Sequence, residues 1–297
     1  MSHKSVFLLR SVIERLEYNY FFYCIINQKR VLMIEYFGDF VEENEAHEPL
    51  LPLAHTFRAA HLETLIKEKT LFTRECDTFL KENLLYFYYG KPAYRLDRDE
   101  ETIDNTDLEY LYPVTILLNS KGLKHAPAKV FASDSGALEA GIFNKDVGLA
   151  VKPQTFQLVN KVKSAAKVVK TFYGDNHNYY YGKPFHKDEV EYDISDSNIS
   201  KYIQLISNNI SQGDNRKRTV EVIFNEDIDL TKCDIDLVIF PVKFEESEKL
   251  MNLLKNVLKV NYKSYDTDLN KPNEAVPLIS KIVGDHYKSK NLFKGVK

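Results

Sequence analysis

The sequence predicts an α+β fold, and three observations carry that expectation. Short apolar runs have the length and the aromatic and β-branched content of strands: LLYFYY at 84–89, RTVEVIF at 218–224 and IDLVIFPV at 235–242. Other stretches space apolar residues three and four apart, as helices do; Ile199, Tyr202, Ile203, Ile206 and Ile210 are the clearest case. Strand and helix patterns do not alternate regularly, which argues against a parallel βαβ sheet. With 44% hydrophobic and 28% charged residues in 297, the chain can bury a sizeable core.

In chain order, Val6, Leu8, Leu9, Val12, Ile13 and Leu16 suit a helix, and residues 31–40 (VLMIEYFGDF) read as a strand. Together with an acidic loop at 42–48 they set residues 1–48 apart as an N-terminal extension of helix plus strand. Residues 49–297 are expected to form a single α+β domain. It opens with the apolar segment LLPLAHT (50–56), and Thr56 then N-caps a helix through Lys69. After the aromatic strand, Gly90-Lys91-Pro92 breaks the chain, and the acidic run 97–109 reads as a solvated loop. YPVTILL (112–118) is a buried strand. Ser133-Asp134-Ser135-Gly136 looks superficially like a nucleophile motif but reads better as a helix cap. Residues 172–195, rich in Tyr, His and Asp, read as a long loop or lid. Asp196 N-caps the next helix, two strands follow, then an amphipathic helix at 250–258, a strand at 260–265 and a terminal helix near 274–287.

Composition excludes several classes. The formal charge of −3 gives no general attraction to nucleic acid or to an anionic membrane. Cys24, Cys76 and Cys233 are far apart, with no CxxC pair, so no structural zinc site is expected and a reducing compartment fits. The apolar run 18–26 is too short to span a membrane, so a soluble, cytoplasmic protein without membrane partners is expected. Neither phosphate-binding glycine fingerprint is present. His177, His186, Asp175, Asp188 and Glu191 are irregularly spaced, and no metal site is expected from them.

Three segments attract attention together. Leu53-Ala54-His55-Thr56 puts two polar residues at the end of an apolar strand, ahead of a helix with Leu62, Leu65 and Ile66. Tyr86 lies in the aromatic strand, followed by Pro92-Ala93-Tyr94-Arg95. Glu221 stands alone in the otherwise apolar RTVEVIF. In this order the segments resemble the ADP-ribosyltransferase superfamily, within it the DarT-like DNA-modifying branch, over residues 50–242. Two positions depart from its pattern: Glu63 replaces a small or amide residue, and Lys69 stands where a glycine closes the helix.

The resemblance implies mainly antiparallel central sheets flanked by helices, with NAD consumed as a substrate. It makes Glu221 and His55 catalytic, and His55, Thr56, Tyr86, Tyr94 and Arg95 cofactor-binding. A carboxylate at Glu221 would stabilise the ribosyl cation left by nicotinamide. His55 would hold a ribose hydroxyl, a tyrosine face would stack on the nicotinamide ring, and Arg95 would pair with the pyrophosphate. The acceptor would be a nucleic acid or a protein, and the setting a toxin or phage-defence effector with a cognate antitoxin. Lys163, Lys167, Arg216 and Arg218 are candidate nucleic-acid contacts. A non-catalytic module using these basic and tyrosine-rich surfaces is the alternative. Each residue also has an ordinary reading. His55 can be a satisfied core histidine, Glu221 the polar face of an edge strand, and the lysines a solvated helix face.

Overall fold

The computed structural model describes residues 37–79, 81–94, 109–120, 123, 126–148, 150–193, 196–208, 215–267 and 272–293. The predicted helix at 6–16, the start of the predicted strand at 31–40, Arg95 and most of the acidic loop lie outside them.

One sheet organises the fold. Its strands are β1 (Leu53–Arg58), β3 (Arg74–Glu75), β4 (Asn83–Tyr89), β5 (Pro113–Leu118), β6 (Lys129–Phe131), β7 (Glu221–Phe224), β9 (Ile235–Pro241) and β10 (Tyr262–Tyr265). They run in the order β10-β9-β5-β1-β4-β7-β6, and β3 pairs with β4. Only β10 and β9 are parallel; every other pairing in the sheet is antiparallel. A separate two-stranded ribbon joins β2 (Thr70–Leu71) to β8 (Ile228–Asp229). The expected α+β class with a mainly antiparallel sheet flanked by helices is thus observed. All six residues of β5 are buried, as a central strand covered on both faces requires.

The helices are α1 (37–42), α2 (Leu62–Glu68), α3 (Ser135–Glu139), α4 (Asn144–Val147), α5 (Val162–Tyr173), α6 (Asn176–Tyr180), α7 (Ser197–Ser207), α8 (Glu248–Asn252) and α9 (Ala275–Ser289). Helix α8 continues as a π-helix through Leu258. Helix α5 supplies Ala165, Ala166, Val168, Val169, Phe172 and Tyr173 to the main core, which also holds Phe87, Val222 and Phe224. A smaller cluster of Phe79, Leu84, Phe131 and Ile223, with Cys76 and Tyr86 packed against it, forms separately. Helix α2 closes on Lys69 at φ 54°, the left-handed region a glycine would enter without the roughly 1 kcal/mol side-chain penalty.

Two expectations are corrected. Residues 37–40 are helical rather than strand-like, because Phe37, Phe40 and Val41 lie on one helical face and pack into the core. The Phe37 ring centroid lies 5.1 Å from that of Tyr202 and 6.0 Å from that of Phe172, so 37–48 belongs to the domain and is not an extension. Nor is 172–180 a lid: Phe172, Tyr173, Tyr179 and Tyr180 are all buried, with Tyr173 and Tyr179 fully enclosed. Among the described residues no helix is long and apolar enough to cross a membrane.

Candidate functional site

Strand register decides which candidate residues meet. Strand β1 pairs with β4 at Leu53–Tyr89 and Ala54–Tyr88, and β4 pairs with β7 so that Tyr88 faces Glu221 and Tyr86 faces Ile223. Side chains alternate along a strand and paired residues share a face. Ala54, Thr56, Tyr86, Tyr88 and Glu221 therefore lie on one face; Leu53, His55, Phe57, Phe87 and Val222 lie on the other. Ring contacts agree: the His55 ring stacks on Phe57 at 5.4 Å and lies tilted against Phe87 at 5.2 Å. Thr56 meets Thr115 of β5 on the Glu221 face, hydroxyl to hydroxyl at 2.9 Å.

This parity corrects the expectation that His55 and Glu221 converge. The Nδ1 of His55 bonds the Tyr86 carbonyl oxygen at 2.8 Å, and desolvation pushes its pKa down to about 4, against which the carbonyl bond acts only partly. It is a neutral, internally satisfied histidine at neutral pH.

Glu221 is built into a polar cluster. It is only 2% exposed and opens β7, whose other residues are apolar. Ser135 donates to Oε2 twice, from its backbone N–H at 3.1 Å and from its hydroxyl at 2.5 Å. Among the described residues no donor meets Oε1. Asp134, the N-cap of α3, accepts at Oδ1 from Ala137 N–H (2.6 Å) and at Oδ2 from the Tyr88 hydroxyl (2.6 Å). The Arg216 guanidinium stands 3.8 Å from that same oxygen. Desolvation first, and then the Asp134 carboxylate, push the Glu221 pKa well above the usual carboxylate range, which favours its neutral form. Burial likewise raises the Tyr88 hydroxyl.

The loop carrying Asp134 and Ser135 is anchored from behind. Tyr202 donates to the Ala132 carbonyl at 3.0 Å, and Ala132 N–H donates to Phe156 O at 3.0 Å. On this face Thr56, Tyr86 and Tyr88 are half-buried. The Tyr86 hydroxyl donates to Cys76 Sγ at 2.7 Å. Tyr94 exerts its electrostatic effect on Tyr265 of β10, the strand at the far edge of the sheet, and is not gathered at Glu221.

The four basic candidates do not form one surface. Arg216 and Arg218 are buried, and Arg218 donates to the carbonyls of Ile206 (2.5 Å), Gly182 (2.9 Å) and Asn208 (2.8 Å). Lys167 donates to the Glu42 carbonyl (2.5 Å) and carboxylate (2.8 Å). Lys163 alone is exposed, on the solvent side of α5. A turn of consecutive cations reads as a charged surface in sequence, but here Arg216 and Lys217 pair with Asp134 and Asp146 and Arg218 caps carbonyl groups. No group of His, Cys, Asp and Glu suited to a metal ion occurs among the described residues.

Sequence reasoning recognised the 133–136 run as a cap, which it is. It missed that the cap touches Glu221, because the two are 86 residues apart and only the β6–β7 pairing, with Phe131 opposite Glu221, brings them together. No family model matches the chain, and no curated protein or solved structure matches it significantly.

Proposed function

We propose that the Glu221 face is a catalytic site that cleaves an N-ribosyl bond, with NAD as the ADP-ribose donor. The acceptor is a nucleophile on a nucleic acid or a protein. One observation carries the reading: a buried glutamic acid is fixed at one oxygen by Ser135, meets no donor at the other among the described residues, and lies beside a second carboxylate. A buried carboxyl only partly hydrogen-bonded is expensive in an apolar strand, and functional sites are where such costs are kept. NAD as donor comes from the resemblance over 50–242, which Tyr86, Thr56 and Glu221 still satisfy on one face. His55 falls outside the reading.

The chemistry follows from the groups present. Departure of nicotinamide leaves positive charge on the ribose. The cationic pyridinium of bound NAD favours the ionised form of Glu221, its proton passing to solvent water as the donor binds; when neutral nicotinamide leaves, the positive charge moves to the ribose and the Glu221 carboxylate stabilises it. Asp134, held by Tyr88 and the α3 N-terminus, adds a second negative group to the same field. The half-buried Tyr86 and Tyr88 offer ring faces on the same side of the sheet. An enzyme of this kind suits a toxin or phage-defence effector restrained by a cognate antitoxin. The non-catalytic alternative loses support because three of its four basic residues are tied to internal acceptors.

The test follows radiolabel from NAD into protein, nucleic acid and free ADP-ribose for the unaltered chain, Glu221→Gln and His55→Ala. Label is expected in one of these pools, with a loss of about a hundredfold in Glu221→Gln, typical of a key electrostatic group, and a change of only a few-fold in His55→Ala. No label from the unaltered chain, or loss in folded His55→Ala alone, contradicts the proposal.

A further inference from the structure

The β4–β7 ladder is irregular one step beyond the Tyr88–Glu221 pair. An antiparallel hydrogen-bonded pair exchanges two bonds. Tyr89 and Val220 exchange only one directly, Tyr89 N–H to Val220 O at 2.9 Å. In place of the other, Val220 N–H donates to the Tyr179 hydroxyl at 3.0 Å, and that hydroxyl donates to Tyr89 O at 2.8 Å. A side-chain oxygen from α6 is thus inserted between the strands and holds them apart on that side.

The wedge is held rigidly. Tyr179 is fully buried, its ring packs edge-on against Tyr173 at 5.2 Å, and Lys91 Nζ sits 4.2 Å from its centroid. Lys91 also donates to the carbonyl of Arg218 at 2.7 Å, in the segment that leads into β7. The position where β7 begins, and with it the Glu221 Cα, is therefore set by contacts from the opposite side of the sheet. The geometry points to Tyr179 as a positioning residue for Glu221: its hydroxyl spaces β4 from β7 so that the Glu221 carboxyl meets Ser135 and lies beside Asp134. The catalytic consequence rests on the proposed N-ribosyl reaction; the positional claim does not.

Removing the hydroxyl lets Val220 N–H close directly on Tyr89 O, which moves Glu221 relative to α3. Infrared spectra of protein labelled with 13C-glutamate, with Glu221→Gln subtracted, isolate the C=O stretch of the neutral Glu221 carboxyl. In Tyr179→Phe this band is expected to shift in frequency and to vanish at lower pH than in the unaltered protein. Tyr180→Phe removes a buried hydroxyl bond from the same helix, to Ser280 O at 2.5 Å, and is expected to leave the band in place. If Tyr179→Phe does not fold, 3-fluorotyrosine at position 179 weakens the acceptor without removing it, and the same shift is expected. An unmoved band in the position-179 variant, or an equal shift in Tyr180→Phe, overturns the inference. With NAD turnover measured in parallel, Tyr179→Phe is expected to lower kcat about tenfold at unchanged KM, as displacement of a reacting group does. Unaltered protein without turnover would sink the proposed function, while the infrared result would still decide the role of Tyr179.

Discussion

Glu221 is held between two opposed influences. Burial and Asp134 keep its proton on, whereas the two Ser135 donors favour the anion. Asp134→Asn keeps an oxygen for the Ala137 cap bond but removes the negative neighbour. It is expected to lower the pH at which Glu221 deprotonates, read by 13C NMR of the labelled carboxyl, at a stability cost under about 1 kcal/mol, since Asn also caps helices. An unchanged titration would remove Asp134 as a cause. His55 shows the opposite case. A polar residue at a strand end looks functional in sequence, but the parity of β1 turns it onto Phe57 and Phe87, where a backbone carbonyl satisfies it. Sequence gives alternation within one strand; it does not give the face on which a second strand, far along the chain, presents its own alternation.

Short irregular elements do much of the positioning. The turn Asn215–Arg218 places Arg216 on Asp134 and spends Arg218 on three carbonyls just ahead of β7. Arg218→Met is expected to destabilise by about 3 kcal/mol in urea unfolding, because buried carbonyls lose charge-assisted partners. Lys163→Met on α5 is expected to stay within about 0.5 kcal/mol, as surface changes do. Equal effects would show that Arg218 is not the internal clamp described. The regular elements were legible: the strands at 84–89 and 235–241 and the helices from 197 and 275 follow from apolar period and from Asp196 as a boundary residue. At residues 37–40 the sequence suggests a strand because a few apolar residues in a short run suit either period, and tertiary contact with Phe172 and Tyr202 settles the helix.

At the scale of the molecule the sheet separates a large apolar core from a smaller face that carries the polar cluster, and pH acts differently on each. Glu42 joins α1 to α5 through Lys167 and Ser164, and these partners hold its pKa below 4.5 despite burial. Such a group stabilises above its unfolded pKa and loses that contribution as pH falls through its folded value. The melting-temperature gap between the unaltered chain and Glu42→Gln is therefore expected to close as pH drops below 4.5. Glu221 has the reverse sign. Its folded pKa lies above the ordinary 4.5, so the folded state is favoured at low pH and loses ground as pH rises toward the folded value. Glu221→Gln does not titrate and is expected to melt higher than the unaltered chain, with a margin that grows as pH rises above 4.5. A gain in stability alongside a loss of activity is the pattern of a residue kept for function. The fold class and the existence of the main strands were readable from the sequence, as was Glu221 among apolar strand residues. The boundaries were not, since β1 runs on past Thr56 to Arg58 and β7 begins at Glu221 rather than at Arg218. Nor were the Glu221 companions Asp134, Ser135 and Tyr88, because only the antiparallel pairing of β6 and β4 with β7 brings them to one place.

The central claim is that Glu221 carries out bond cleavage on NAD. The most direct measurement is the rate of nicotinamide release by the unaltered chain and by Glu221→Gln, each shown to be folded by its melting curve. The account predicts release by the unaltered chain and a rate lower by about two orders of magnitude in the variant, despite its higher melting temperature. Equal rates, or no release from the folded unaltered chain, would contradict it.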